Sequence, residues 1–369
     1  MKKSFLSIVF FAIAFSGYSQ AYEFQTIKDI ECTPVISQGK TGTCWSFSTT
    51  SFLEAEIIRL TGKKIDLSEM YNVRNTYPVK SWNYIMRQGK AQFGEGGLSH
   101  DVINSAAQFG VVPETVYTGM SADESTYNHA EMVAVIEGML KVYVENPAKS
   151  LSPHWKESVA SVLDVYMGKN PTEFTYEGKK YTPKSFMTMT KLNPASYVTI
   201  SSFTHVPFYK TFLLDIPDNF SNGTFYNLPL DEYIQNIDNA LDNGYTLALD
   251  CDVSENTFSR TNGIAVIPAS EDDSKIILTE IKTEKVISSE YRQAEFENLS
   301  TTDDHLMHIV GKVKDQKGTT YYKVKNSWGI TGKNNGFVYM SVPYMKLKSI
   351  SVLLSKDGLS KKTKGSLGL

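Results

Sequence analysis

Cysteine is scarce in this sequence. Its three residues, Cys32, Cys44 and Cys251, are an odd number among 369, so at least one thiol stays free and no disulfide framework holds the chain together. Cys32 and Cys251 are expected as two unpaired thiols. Long apolar runs are lacking too, and the one pronounced run, Phe5 to Phe15, is too short to cross a bilayer comfortably. Nor does one sign of charge dominate: 37 Lys and Arg stand against 40 Asp and Glu, a formal net charge of −3, so nucleic acid is not an expected partner. No internal repeat is present, and the one biased tract is Lys361-Lys362-Thr363-Lys364. What the chain does have is 41% hydrophobic and 12% aromatic residues, ample for a core that must supply the stability disulfides do not.

Residues 1–20 read as a secretory signal. Lys2 and Lys3 precede the apolar run, and the small residues Ser16, Gly17 and Ser19 lead into Gln20-Ala21. The protein is therefore expected to be exported, periplasmic or secreted, with no stable membrane insertion once the leader is cut. Losing two lysines and no acids takes the formal charge from −3 to −5.

The segment Gln38-Gly39-Lys40-Thr41-Gly42-Thr43-Cys44-Trp45-Ser46-Phe47-Ser48 puts a cysteine at the start of a predicted helix. Phe52, Leu53, Ile57, Ile58 and Leu60 recur at helical spacing, Thr61-Gly62 supplies a stop, and Thr41-Gly42-Thr43 supplies a turn and a capping hydroxyl. Unpaired N–H groups and partial positive charge at that end favour a thiolate, the form a nucleophile needs. An apolar-flanked cysteine alone is more often an inert core residue. The reading needs a base and a group to orient it.

Residues 21–120 read as a mainly helical lobe, with further helices near Ser68–Asn75 and Ser99–Phe109. Residues 121–245 read as a largely helical insertion: helical patterns at His129–Glu145, Pro153–Met167 and Asp231–Leu241, and a hairpin at Phe174–Tyr181 turning at Glu177-Gly178. Residues 246–350 turn β-rich, beginning with the alternating stretch Tyr245 to Val253, and residues 351–369 form a C-terminal arm.

The base lies in that β-rich part. Asp303 to Gly311 and Tyr321 to Asn326 read as strands joined by a turn, and a hairpin symmetric about Asp315/Gln316 sets His305 opposite Asn326. An amide oxygen on one ring nitrogen fixes the tautomer and leaves the other nitrogen for a thiol. Trp328, two residues on, is placed to shield that bond from water. A metal pair of His305 and His308 fails, since a spacing of three puts them on opposite faces of a strand, and His308 is expected in the core. No metal or cofactor is called for. Gln38 is placed to hold, with the Cys44 backbone N–H, the oxyanion formed when sulfur attacks a carbonyl.

These residues together resemble papain-like cysteine peptidases: Gln38 followed by Cys44-Trp45-Ser46-Phe47-Ser48, His305 with Gly311 six residues on, and Asn326-Ser327-Trp328-Gly329. The resemblance implies Cys44 as nucleophile, His305 as general base and acid, Asn326 as its orienter and Gln38 as oxyanion donor. It implies an α+β, two-lobe fold: a helical lobe carrying the cysteine helix and an antiparallel, barrel-like β lobe carrying His305 and Asn326. Within the group the chain is similar to the aminopeptidase C and bleomycin hydrolase branch, through Thr302-Asp303-Asp304-His305, Ala248 to Val253, Asn193 to Tyr197, Asp66 to Glu69, Gly94-Glu95-Gly96-Gly97 and the long insertion. That branch implies peptide substrates, with Gly96, Gly97, Trp45 and Asp304 in substrate binding and a C-terminal arm placing Leu369 near the substrate's α-ammonium.

The chain departs from the pattern in three ways. Thr41 stands where secreted papain relatives carry a disulfide cysteine, and about a dozen residues between leader and Pro34 leave no room for an inhibitory propeptide. The chain is also shorter than the branch's cytoplasmic members, which argues against their hexamer and leaves a homo-oligomer open. The expected function is a cysteine aminopeptidase working through a thioester acyl-enzyme. The alternatives are an open-cleft endopeptidase, an idle binding or chaperone-like scaffold, and acyl transfer to amines.

Overall fold

The computed structural model describes residues 21–121, 124–148 and 150–369, so the leader expected over residues 1–20 lies outside the described residues. The chain opens with β1 (Gln25–Asp29) and three helices, α1 (Cys44–Thr61), α2 (Glu69–Met86) and α3 (Ser99–Phe109). There follow α4 (Ala130–Val144), α5 (Trp155–Met167), the hairpin β2 (Phe174–Tyr176) and β3 (Lys179–Tyr181), and α6 (Pro183–Thr190). Three short strands, β4 (Tyr197–Ser201), β5 (Thr211–Leu213) and β6 (Thr224–Asn227), lead to α7 (Leu230–Asp242). Beyond it come β7 (Leu247–Cys251), β8 (Phe258–Ser259), β9 (Ile264–Ala265), α8 (Ser289–Glu297), β10 (His305–Lys314) and β11 (Thr320–Lys325). The chain closes with β12 (Phe337–Ser341), α9 (Val342–Lys348), β13 (Ser349–Ser355) and α10 (Lys361–Leu367).

The helix boundaries follow local chemistry. Gly62 takes the left-handed conformation, φ 71°, and its N–H closes α1 on the Ile58 carbonyl at 2.8 Å. Helix α2 starts where expected, on a Ser68 hydroxyl that accepts from the Tyr71 N–H at 3.0 Å, but runs on through Pro78 to Met86. Burial of Tyr77, Tyr84 and Ile85 outweighs the donor that proline removes. In the hairpin, Glu177 and Gly178 both have positive φ, 47° and 77°, as the two-residue turn requires.

An eleven-stranded sheet, antiparallel except where β4 meets β6 and β9 meets β12, organises the molecule. It stays open, with β5 and β8 at its ends, so the β lobe is a twisted sheet rather than the expected barrel. One face carries Ala248, Leu306 and Leu353 and is covered by α1 and the other helices of the first lobe. The opposite face carries Leu249, Met307, Ile309, Val352 and Leu354 and is covered by α7 and α9. Residues 121–245 are shared between these cores rather than standing apart: α4 and α5 pack with α1 and α2, β4 to β6 extend the sheet, and α7 closes its far face. Among the described residues no helix is long and apolar enough to cross a membrane, and all three cysteines are free thiols.

Strand β10 bridges the sheet. It pairs with β7 over His305 to Ile309 and with β1 over Gly311 to Lys314. Gly311 sits where β1 crosses, and a Cβ there would lie 2.2 Å from the Lys28 carbonyl oxygen. Gly311→Ala is therefore expected to destabilise the fold by about 1–3 kcal/mol, the usual cost of overpacking. The control Gly365→Ala, in an exposed helix with nothing within 4 Å, should be neutral or stabilising. Urea denaturation of both variants checks this pair.

Candidate active site

Cys44 is the first residue of α1, and its own N–H has no acceptor within the helix. The capping hydroxyl expected before it is absent: Thr43 makes no cap bond, and its Oγ1 lies 2.6 Å from Thr41 Oγ1 instead. Thr41 in turn donates to the Gln38 carbonyl at 2.9 Å. The turn is thus braced from inside, and the helix N–H groups are left uncapped beside the sulfur.

His305 Nε2 lies 2.8 Å from Asn326 Oδ1. The same oxygen accepts the Ser327 N–H at 2.7 Å, which identifies it as the amide oxygen and makes His305 Nε2 the protonated nitrogen. Nδ1, with its lone pair, is the nitrogen available to the thiol. Trp328 stacks on the imidazole, ring centroids 4.5 Å apart and 27° between planes, the shield expected of it.

The register that achieves this is not the expected one. His308 pairs with Lys325, and a bulge between Ile309 and Gly311 shifts the rest of the hairpin. His305 faces Cys251 of β7 across the ladder, while Asn326 lies one residue past β11 with its N–H on the Gly336 carbonyl at 3.1 Å. The two meet through side-chain reach at the strand ends. His308, as expected, is buried, its Nδ1 2.9 Å from Ser51 Oγ.

Besides the Thr41 hydroxyl on its carbonyl, Gln38 is held at three further points. Its N–H donates to the Ser327 carbonyl at 2.8 Å, its Oε1 accepts from Ser327 Oγ at 2.6 Å, and its Nε2 donates to the Thr41 carbonyl at 2.6 Å. Because a carbonyl can only accept, the amide orientation is fixed, and the second Nε2–H remains for an oxyanion. Ser327, which no sequence argument singled out as functional, is what locks it.

Burial dominates the electrostatics. Desolvation pushes the Cys44 thiol up to about 12; a facing Leu306 N–H opposes this, while the carboxylates of Asp303, Asp218 and Asp250 add to it. Desolvation pushes His305 down to about 4 against the pull of its bond to Asn326. Both shifts favour neutral forms, a thiol on Cys44 and a neutral imidazole on His305. The acidic cysteine expected from the helix terminus is corrected accordingly: loss of water outweighs a helix end worth a fraction of a charge. We propose that the thiolate forms as its proton passes to His305.

The substrate-binding expectations divide. Trp45 is fully buried, its indole N–H on the Glu95 carbonyl at 2.9 Å, and it forms the floor under Gly97, where a Cβ would meet its ring at 3.1 Å. A Cβ on Gly96 would strike the Asp218 carboxylate, and the Gly96 carbonyl already accepts from Lys80 Nζ. Gly97 is itself buried against Trp45, and among the described residues its N–H and C=O make no hydrogen bond, so backbone pairing with a peptide needs that position uncovered. Asp304 does not reach into the cleft: its carboxylate braces the entry to β10, accepting from Thr302 Oγ1 at 2.7 Å and the Val253 N–H at 3.3 Å. Leu369 is also placed elsewhere. Helix α10 docks on α7, with Thr363 Oγ1 donating to Glu232 Oε1 at 2.8 Å and accepting from Asn236 Nδ2 at 2.9 Å, on the sheet face opposite α1. Small apolar tail residues pack on a neighbouring helix as readily as in a groove.

Residues 84–367 match the model of the Peptidase C1-like family. The chain belongs to that family. This Peptidase C1-like chain is 22% identical over 372 residues to aminopeptidase C of Lactococcus lactis subsp. cremoris, covering 90% of itself and 83% of that protein. Aminopeptidase C of Listeria monocytogenes is likewise 22% identical over 374 residues, at 90% and 82% coverage. The crystal structure of PepW from Lactobacillus rhamnosis shares the fold, with a TM-score of 0.73 at 17% identity over 93% of this chain and 84% of that one.

The protein is thus a cysteine peptidase. We propose that His305 Nδ1 takes the Cys44 proton as sulfur attacks the scissile carbonyl, that the oxyanion falls between the second Gln38 Nε2–H and the Cys44 N–H, and that His305 then protonates the leaving amine, leaving the thioester for water. Gln38→Ala should lower kcat by about 10²–10³-fold with little change in KM, since that donor acts on charge present only in the transition state. Asn326→Ala should lower kcat by about 10²-fold by freeing the tautomer. Steady-state kinetics on a fluorogenic peptide distinguishes the two.

Proposed function

We propose that this protein is an exported cysteine aminopeptidase, releasing residues from peptide N-termini through a thioester on Cys44. The observation that carries the reading is similarity to two aminopeptidases C over 90% of this chain, supported by the His305–Asn326 bond and by Ser327 holding Gln38. An alignment of that extent in a chain of 369 residues must span Cys44, His305 and Asn326. Export rests on the charged and apolar pattern of residues 1–20.

One observation favours a second reading. Helix α10 docks on α7, on the sheet face opposite α1, so it does not close the cleft, and an endopeptidase would present the same open groove. Hydrolysis of aminoacyl amidomethylcoumarins beside their N-acetylated counterparts decides. Preference for the free amine supports the aminopeptidase, and efficient cleavage of blocked peptides supports the endopeptidase. An idle scaffold predicts that an epoxide thiol inhibitor leaves Cys44 unlabelled at neutral pH. Intact mass of the protein recovered from its native compartment should show a chain beginning near Ala21, and a retained Met1 leader would overturn export.

A further inference from the structure

Three carboxyl groups crowd the cysteine end of the cleft, and the one cation near them, Lys80, lies by Asp218. Asp250 lies on β7 opposite Leu306, the residue whose N–H faces the Cys44 sulfur. It shares a sheet face with Ala248 and Leu306, the face that α1 covers, so its side chain is directed at the nucleophile's helix. Asp250 is 1% exposed, and neither carboxyl oxygen has a hydrogen-bond donor from the protein. The group within reach is the carboxyl of Asp303, two residues before His305, and two carboxyls can bond only by sharing a proton. Asp303 is partly exposed and opens this pair to solvent. Asp218 completes the group, its carboxylate packed against Gly96.

The electrostatics agree with this placement. Desolvation raises all three acids, and Asp303 is pushed up to about 7. Lys80 offsets only Asp218, and its Nζ is already on the Gly96 carbonyl. Natural structures seldom leave a buried carboxyl without a donor unless something else supplies one. The chemistry that fits is a primary ammonium: it brings three donors and one positive charge, and one such group bridges two carboxylates.

We infer that Asp250, Asp303 and Asp218 form a receptor for a substrate ammonium group beside the scissile bond. The inference rests on the peptidase reading and deepens it, since the ammonium comes either from the peptide's own N-terminus or from a lysine side chain next to the cleaved residue. The first source makes the cluster the origin of aminopeptidase selectivity, and the second makes it a side-chain pocket.

The test uses the full chain with Asp303→Asn and Asp218→Asn, and Asp250→Asn as a third variant. Three substrates are compared: a leucyl amidomethylcoumarin, N-acetyl-Lys-Leu-amidomethylcoumarin and N-acetyl-norleucyl-Leu-amidomethylcoumarin. If the ammonium is the N-terminus, wild type prefers the free amine, and the variants lower its kcat/KM relative to the norleucyl substrate by about ten-fold or more, mainly through KM. If it is a lysine, wild type prefers the lysyl over the norleucyl substrate, and the variants abolish that preference. Iodoacetamide alkylation of Cys44 against pH shows that each variant is folded and altered where intended, because removing a nearby negative charge shifts the profile to lower pH. Both ratios unchanged in folded Asp303→Asn and Asp218→Asn would overturn the inference while leaving the peptidase reading intact. A wild type that is alkylated yet cleaves none of the three would overturn both.

Discussion

The hydrogen bond between His305 Nε2 and Asn326 Oδ1 is the contact on which the rest of the site depends. An imidazole buried to this degree is neutral, and a neutral imidazole offers a base on one nitrogen only. Asn326 decides which nitrogen that is. Its oxygen is fixed by the Ser327 N–H, its backbone by the Gly336 carbonyl, and the bond lies under the Trp328 ring. Ser327 then reaches the other way to Gln38, so base orientation and oxyanion donor share one backbone segment. The segment turns at Gly329, φ 79°, and returns at Gly336, φ 87°, where a Cβ would come within 2.8 Å of the Gly329 carbonyl. The glycines let the loop fold tightly enough to serve both purposes.

The nucleophile must meet that frame at the right height, and a polar seam sets it. Lys325 Nζ donates to Ser51 Oγ at 2.8 Å and Thr33 Oγ1 at 3.0 Å, Ser51 also contacts His308, and Thr33 donates to Glu54. Glu54 further accepts the Leu67 N–H at 2.8 Å. Burial raises Glu54 to about 7 and lowers Lys325, so each group depends on the others for its partners. Leu306, Ala248 and Leu353 pack equally well against a helix slid along its axis. The polar seam does not, because a displaced α1 would leave several buried groups unpaired. Apolar contact attaches α1 to the sheet, and the seam determines where along it Cys44 sits.

Much of this was readable beforehand, and the failures share a cause. Cys44, His305, Asn326, Gln38 and Trp328 stand out in the sequence because each carries a chemical type at a characteristic spacing, and the fold brings His305, Asn326 and Trp328 into contact; the helices around them are legible because apolar periodicity is local. The hairpin register differs from the expected one because the turn is centred on Lys317 and not on Asp315/Gln316: Lys314 pairs with Thr320, the Asp315 N–H bonds the Thr319 carbonyl, and the bulge before Gly311, where β1 crosses, then moves the pairing one residue back. The thiol was expected to be acidic because a helix start is visible in sequence, whereas the water lost from around it is not. Leu369 was sent to the cleft by family resemblance, and Glu232 and Asn236 hold its helix elsewhere. Asp218 lies within the insertion with no motif to mark it, and Asp250 and Asp303 become partners only once β7 pairs with β10. Side-chain chemistry is legible locally, while solvation and convergence depend on the fold.

The account turns on Cys44 as nucleophile with His305 as its base, and trapping the acyl-enzyme tests that most directly. Wild-type protein mixed with a slowly deacylating amino-acid ester and quenched early should carry one acyl group per chain, mapped to Cys44 by peptide mass. Cys44→Ser should carry none there, and His305→Ala should form the adduct about 10²-fold or more slowly. An acyl group on any other residue, or a rate indifferent to His305, would contradict it.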